Sequence, residues 1–302
     1  HQVKNEWGGA HYPMVPGHEI VGRVLKTGSE VKRFKTGDLA GIGCMVNSCR
    51  HCNNCKKGLE QFCENGMTGT YNSMKEGAGA PTYGGYSKMI VANEYFVLNI
   101  PANLPLEGVA PLLCAGITTF SPMRHWKVGK GHTLGVIGLG GLGHMAVKLA
   151  ASFGAEVTML STSPEKEKDA RYLGAHHFAL TKDPAQLKKL INSFDFIIDT
   201  VSAEHDYDLY IRMLRTDGVM ICVGAPPTPP KINPLNLIGN RRSMVGSLIG
   251  GIPETQEMLD YCGEHNIVSD VEVIRMDYIN EAYKRMLKGD VKYRFVVDMA
   301  TL

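Results

Sequence analysis

No stretch of this 302-residue sequence approaches the roughly 20 consecutive apolar residues that a membrane-spanning helix needs, so no membrane partner is expected. A surplus charge of one sign is also missing. With 32 basic and 30 acidic residues the net charge is +2, which leaves no basic field for nucleic acid or anionic lipid, and any phosphate binding has to be local. There is no internal repeat, and the only biased segment is the short PPTPP at Pro226 to Pro230, which reads as a stiff loop. The opening HQVKNEWGG has neither the basic start nor the apolar core of a secretory leader, and with His1 in place of Met it reads as a chain shortened or processed at its front.

What is present is ample apolar content, 44%, in a chain long enough for two domains of ordinary size. Of the eight cysteines, Cys114, Cys222 and Cys262 stand alone, while the other five crowd between Cys44 and Cys63. That clustering points to metal in a reducing, cytoplasmic setting rather than to a disulfide framework.

Within SCRHCNNCKKGLEQFC, Cys49, Cys52, Cys55 and Cys63 follow a C-x2-C-x2-C-x7-C spacing. Three closely spaced thiolates can wrap one ion if the chain coils tightly, and the fourth closes a tetrahedron, as in a structural zinc site. An iron-sulfur cluster is the rival, with different usual spacings at the third and fourth ligands. Cys44, five residues ahead of the lobe, reads as a small apolar filler. In VPGHEIVG, His18 and Glu19 follow a Pro16-Gly17 bend signal. Neighbouring strand residues point to opposite faces, so a bend there would let both serve one target; the alternative is a loop histidine beside an exposed glutamate.

The second half changes character. HTLGVIGLGGLGHMAVKLAASFGAEVTML runs from an apolar strand through Gly138-x-Gly140-x-x-Gly143 into a helix and on to a strand from Glu156, the setting in which glycines admit a pyrophosphate to a helix N-terminus. Further strands and helices alternate: a helix capped by Ser163, a strand near His177 to Leu180, a helix opened by Asp183-Pro184, then FDFIIDT and GVMICVG. This pattern predicts a doubly wound parallel sheet from about residue 115 to 250. At the end of the second strand, where a carboxylate would grip the ribose of NAD, stand Ser161, Thr162, Ser163 and then Lys166. Hydroxyls and a lysine suit a 2′-phosphate, which favours NADP over NAD; cap residues and a surface lysine are the plainer reading.

GHE, the four-cysteine lobe, PLLCAGIT (Pro111 to Thr118) and GLGGLGH, in this order, resemble the zinc-dependent medium-chain alcohol dehydrogenases. The resemblance is greatest to the cinnamyl alcohol dehydrogenase branch with its bacterial aldehyde reductases, and it runs on through GSLIGG, IPETQEMLDYC and VKYRFVVD. It implies an α/β protein with a GroES-like β-rich catalytic domain, 1–114 and 253–302, around a Rossmann domain, 115–252, with the active site in the cleft. His18 and Cys114 then match ligands of a catalytic zinc, with Glu19 as an exchangeable ligand. His1 matches a histidine that relays protons. Family members carry a C-x-x-C-H-type motif ahead of the stretch resembling HQVKNEWG, so the resemblance predicts that one zinc cysteine and a relay hydroxyl are absent. Matching cofactor contacts are Thr118, Gly138, Leu139, Gly140, Gly141, Leu142, Gly143, Ser161, Thr162, Ser163, Lys166, Val223, Ala225, Ser247, Gly250 and Arg294.

The function so implied is reversible, NADPH-linked reduction of aldehydes to primary alcohols. Gly69 stands where lignin-forming relatives carry an aromatic residue, which favours a wide pocket for aromatic and medium aliphatic aldehydes. Two rivals remain: a zinc-free quinone or enoyl reductase, which should lack the cysteine lobe and GHE, and a non-catalytic, zinc-stabilised NADP-binding remnant. SMVGSLIGG after Arg242 is a candidate sheet edge for a homodimer.

Overall fold

The computed structural model describes residues 2–74 and 79–302. Its backbone forms two compact units, one containing residues up to Ile117 together with Ile249–Leu302, the other Thr118–Leu248.

The first unit is built from short strands. Ile20–Arg23 (β1) and Leu39–Ile42 (β2) pair antiparallel with Ile20 opposite Ile42. Met45–Asn47 (β3) leads to the cysteine lobe, which holds the helical turn Asn53–Lys56 (α1) and a 3-10 turn, Glu60–Phe62, and Thr68–Gly69 (β4) returns to pair with β3. Leu98–Asn99 (β5) joins the far side of β2, giving the order β1-β2-β5. Phe96, Leu98, Leu112 and Leu113 are essentially sealed from solvent at the centre of this unit. Leu106–Val109 (α2) leads through a 3-10 turn, Ala110–Leu113, to Cys114 and the helix Ala115–His125 (α3).

The second unit alternates strand and helix as the sequence predicts: Thr133–Ile137 (β6), Gly143–Ser152 (α4), Glu156–Ser161 (β7), Glu167–Tyr172 (α5), His177–Leu180 (β8), Pro184–Lys189 (α6), Phe194–Asp199 (β9), Tyr207–Ile211 (α7), Leu214–Cys222 (β10), Pro234–Ile238 (α8) and Ser243–Gly246 (β11). All pairs in this sheet are parallel, in the order β11-β10-β9-β6-β7-β8. Leu134, Val136, Val157, Met159, Ile197 and Ile198 are wholly buried, as befits strands covered on both faces. The expected α/β class with a doubly wound sheet therefore holds. Chain direction across the sheet reverses between β6 and β9, the crevice where such sheets bind ligands beyond their strand C-termini.

Local capping agrees in part with the sequence. Asp183 accepts hydrogen bonds from the N–H groups of Ala185 and Gln186 and opens α6. Ser163 makes no side-chain cap; it precedes a 3-10 turn, Pro164–Lys166, and its own N–H donates to Ser161 Oγ at 3.2 Å.

The chain returns to the first unit with Ile252–His265 (α9), Val271–Arg275 (β12), Ile279–Leu287 (α10) and Arg294–Asp298 (β13), the two strands pairing in parallel. Gly251 gives α9 no side-chain cap. Glu60, fully buried beside the cysteine lobe, fills that place: one oxygen accepts the Ile252 N–H at 2.9 Å and the other the Tyr95 hydroxyl at 2.6 Å. A carboxylate at this helix end is favoured by the local dipole. Glu60→Ala should thus cost about 1–2 kcal/mol, since it removes the acceptor of two part-buried donors. Urea unfolding at equal metal loading measures this, and an unchanged midpoint would show that Glu60 does not anchor α9.

Candidate active site and metal centres

The four thiols of Cys49, Cys52, Cys55 and Cys63 lie within 4.8 Å of one another. The turn is shaped by N–H groups aimed at sulfur. Cys52 N–H donates to Cys49 Sγ at 3.3 Å, Cys55 N–H to Cys52 Sγ at 3.5 Å, Glu64 N–H to Cys52 Sγ at 3.5 Å, and Cys49 N–H to Cys63 Sγ at 3.4 Å. Such donors stabilise thiolates. The backbone N–H of His51, with those around it, holds Cys49 down at about 6, and Cys52 is lowered by the Cys55 and Glu64 N–H groups, whereas burial pushes Cys55 up to about 12. Four sulfur donors so clustered fit a tetrahedral zinc ion.

The second cluster is assembled from distant segments. Before His18 the chain bends at Gly17, φ +107°, and is held there by three backbone bonds: Gly84 N–H to Val15 O at 2.7 Å, Gly85 N–H to Gly17 O at 3.0 Å and Tyr86 N–H to Pro16 O at 2.9 Å. A Cβ on Gly84 would sit 2.2 Å from Gly17 O, so only glycine admits this approach. The bend presents His18 to Cys114, which caps the 3-10 turn ahead of α3, and to Cys44, between β2 and β3; their ligand atoms all lie within 4.8 Å. Cys44 is therefore a member of this cluster and not the apolar filler that its place in the sequence suggests. The available signal was Gly43, whose Cβ would lie 3.1 Å from Leu113 O, so that Cys44 arrives beside Cys114 by close backbone approach.

The three groups are electrostatically linked. A hydrogen bond from Cys44, with the nearby His18, holds Cys114 well below the usual thiol range, and the same bond together with burial holds Cys44 well above it. Burial alone would lower His18, but the charge and hydrogen bond of Cys114 outweigh it and leave the imidazole raised. The Tyr71 ring stacks on His18 at 5.7 Å. Thiolate, thiol and imidazole form a donor set that fits zinc. Glu19 lies outside this group and pairs with Arg294, Nη2 to Oε1, at 2.6 Å; burial pushes its carboxyl up against the opposing pull of Arg294. Arg294 Nε, by contrast, is buried and has no protein partner. His1 lies outside the described residues.

The glycine turn after β6 divides its duties among three residues. Gly138, φ +86°, faces Val201, which a Cβ would meet at 2.6 Å, and a Cβ on Gly143 would fall 1.8 Å from Gly138 O. Those two serve the packing of strand on helix. A Cβ on Gly140 would meet nothing within 4 Å, so the fold makes no steric demand there and the open space fits a ligand approaching the backbone. Leu139 is buried, and its carbonyl accepts from Lys166 Nζ at 3.1 Å, which brings this lysine against the turn that continues through Gly141 and Leu142. Ser161 is buried at the end of β7, Ser163 partly so, and Thr162 is exposed. Val223 N–H donates to Asp199 O at 3.0 Å, Ala225 N–H to Ser202 Oγ at 3.4 Å and Ser247 N–H to Cys222 O at 3.2 Å, while Thr118 is buried in α3. Gly250, in the first unit, packs against Ile117.

Residues 1–102 match the alcohol dehydrogenase GroES-like domain and 141–264 the zinc-binding dehydrogenase family. The chain is 55% identical to NADP-dependent alcohol dehydrogenase C 1 of Mycolicibacterium smegmatis, over 100% of this chain and 86% of that one. It is 54% identical to aldehyde reductase YahK of Escherichia coli, over 100% and 87% of the two. A cinnamyl alcohol dehydrogenase from Helicobacter pylori, solved with NADP(H), superposes with a TM-score of 0.93 at 43% identity, covering 99% of this chain and 86% of that one. The chain belongs to the zinc-dependent medium-chain alcohol dehydrogenases, in the branch of the cinnamyl alcohol dehydrogenases and bacterial aldehyde reductases.

The two sulfur clusters should load independently. Cys52→Ala is expected to remove about one zinc equivalent and lower the melting temperature, and Cys114→Ala to remove the other with a smaller thermal effect, because only the first closes a local loop. Metal analysis of purified variants reads this directly. An unchanged zinc content in Cys114→Ala would remove that cysteine from the ligand set.

Proposed function

We propose that the protein interconverts aldehydes and primary alcohols with NADP(H), using His18, Cys44 and Cys114 to hold a catalytic zinc and Cys49, Cys52, Cys55 and Cys63 to hold a structural one. The carrying observation is the convergence of His18, Cys44 and Cys114 on one point, in a chain that also has an open glycine turn at Gly140. When bound, zinc supplies Lewis acidity toward a carbonyl oxygen and the reduced nicotinamide supplies the hydride.

The chain's own groups orient these partners. The Gly17 bend and the stacked Tyr71 fix the face that His18 presents. Glu19 balances the charge of Arg294, whose spare Nε is free to meet an anionic ligand. The N–H groups after Gly138 suit a pyrophosphate at the start of α4. Ser161, Thr162, Ser163 and Lys166 offer hydroxyls and a cation to a 2′-phosphate, with no carboxylate at the end of β7 to repel it. Gly69 lies in β4, and its N–H is bonded to Ser73 Oγ at 2.8 Å. The absence of a large ring at that position favours a broad range of aromatic and medium aliphatic aldehydes. We also propose pairing of two chains through β11, the outermost strand of its sheet, because an open edge is a liability unless paired.

NADPH oxidation should be observed with an aldehyde panel, at measured zinc content, and should be faster than with NADH. Absence of turnover in zinc-replete protein would favour the non-catalytic reading. Two variants test the cofactor turn. Ser161→Asp should weaken NADPH at least tenfold, about 1.4 kcal/mol, while sparing NADH. Gly140→Val should weaken both cofactors with little change in melting temperature. Equal cofactor affinities in Ser161→Asp and wild type would refute the 2′-phosphate assignment.

A further inference from the structure

Asp199 ends β9, at the reversal point of the sheet, and is completely buried. Its groups hold the neighbouring loop ends together. The backbone carbonyl accepts from the N–H groups of Val223 and Gly224, both at 3.0 Å, and Oδ1 accepts the Val201 N–H at 3.0 Å. The next residue, Thr200, donates its hydroxyl to Ile137 O at 2.7 Å and lies 3.1 Å from Gly138 O. Val201 then fills the space beside Gly138. Residues 199–201 thus brace both the glycine turn after β6 and the loop after β10.

The second carboxylate oxygen, Oδ2, lies 3.2 Å from His205 Nε2, and the Tyr207 side chain also hydrogen-bonds to the Asp199 carboxyl. The His205–Asp199 approach is within ion-pair distance, outside the angular limits of a well-directed hydrogen bond. The other ring nitrogen, Nδ1, sits 2.8 Å from the carbonyl oxygen of Ala203. Both nitrogens therefore face groups that only accept. A neutral imidazole carries one N–H and must leave one of these contacts unmade; the imidazolium carries two and satisfies both. The ring is also fixed sterically, stacked on Tyr207 with centroids 4.4 Å apart and edge-on to Tyr210 at 5.8 Å.

We infer that His205, held as an imidazolium between Asp199 and the Ala203 carbonyl, is a positioning residue for the cofactor turn, and that cofactor affinity falls when it loses its proton. The inference rests on the reading of the Gly138–Gly143 turn as the dinucleotide site. It adds a pH-dependent control that acts through Asp199 and Val201, without His205 touching the cofactor.

The surrounding groups agree in sign. The contact with the Asp199 carboxyl is the main effect and raises His205 above its ordinary value, burial opposes it, and the Ala203 carbonyl and Asp206 add to the rise. Burial keeps Tyr207 and Tyr210 protonated, and it pushes Cys222, on β10, up to about 12. Asp206 is occupied in capping α7 through the Leu209 N–H, and the adjacent Glu204 is a further acid in the loop. For a raised imidazole the sign is fixed: the ion pair is complete at low pH and is lost as pH rises through the His205 value.

The test uses the intact, zinc-loaded protein, with NADP+ as the probe between about pH 5.5 and 9. Calorimetry gives dissociation constants for wild type and His205→Gln. Their ratio cancels the titration of the cofactor's own 2′-phosphate. Wild type should bind several-fold tighter at low pH, and the advantage should vanish above the His205 value. Carbon-13 histidine NMR on wild type, assigned with the variant, should place His205 above the ordinary value of about 6.5 and should move it higher still in saturating NADP+, since the coupling is reciprocal. A ratio that is flat with pH, a His205 that titrates at or below the ordinary value, or one indifferent to NADP+ would overturn the inference. If His205→Gln does not fold, the wild-type titration with and without NADP+ still decides. Failure of wild type to bind NADP+ at any pH would instead strike the cofactor reading itself, and the coupling with it.

Discussion

The carbonyl of Gly138 occupies space that a Cβ at residue 143 would claim, only 1.8 Å away. Because the strand end and the helix start must come this close, the turn between them cannot be lengthened or padded without separating α4 from the sheet. The Thr200 and Val201 side chains then close on the same carbonyl and the same glycine. A change anywhere in this contact would be felt in the crevice beyond β6 and β9, which is where a doubly wound sheet receives its ligand.

Much of this was legible in the sequence, and the reasons are local. The four-cysteine lobe, the GxGxxG turn and the strand-helix alternation are each written within a few tens of residues, where spacing alone carries the physics. Cys44 was not legible in the same way. Its partners arrive through the Gly43 approach to Leu113 O, a tertiary event that leaves only a glycine as its trace. The pairing of Glu19 with Arg294 and of Asp199 with His205 was equally hidden. Charged residues far apart in sequence, or set in an irregular loop, have no period from which a contact can be read. Ser163 shows the converse case, where a sound capping signal is overridden because the chain forms a 3-10 turn and its N–H turns back to Ser161.

The two sulfur clusters also differ in what they ask of the chain. In the lobe, neighbouring N–H groups already point at sulfur, so much of the charge stabilisation comes from the turn itself. At His18, Cys44 and Cys114 the linked groups share a proton and a charge, and the balance depends on three segments being held in register by the fold. One cluster is a property of a peptide, the other of a packed unit.

That contrast bears on how the protein is made. Cys49 and Cys63 are separated by 14 positions, whereas the loop from His18 to Cys114 is roughly seven times longer, which adds about 2 kcal/mol of closure entropy before any metal bond forms. A ribosome delivers all four lobe thiols before Cys114 emerges. During synthesis the lobe can therefore capture metal while the rest of its unit is still unfolded, and the other cluster has to wait for the strands and turns that bring its segments together. Metal loading follows the order of the chain for one site and the order of folding for the other.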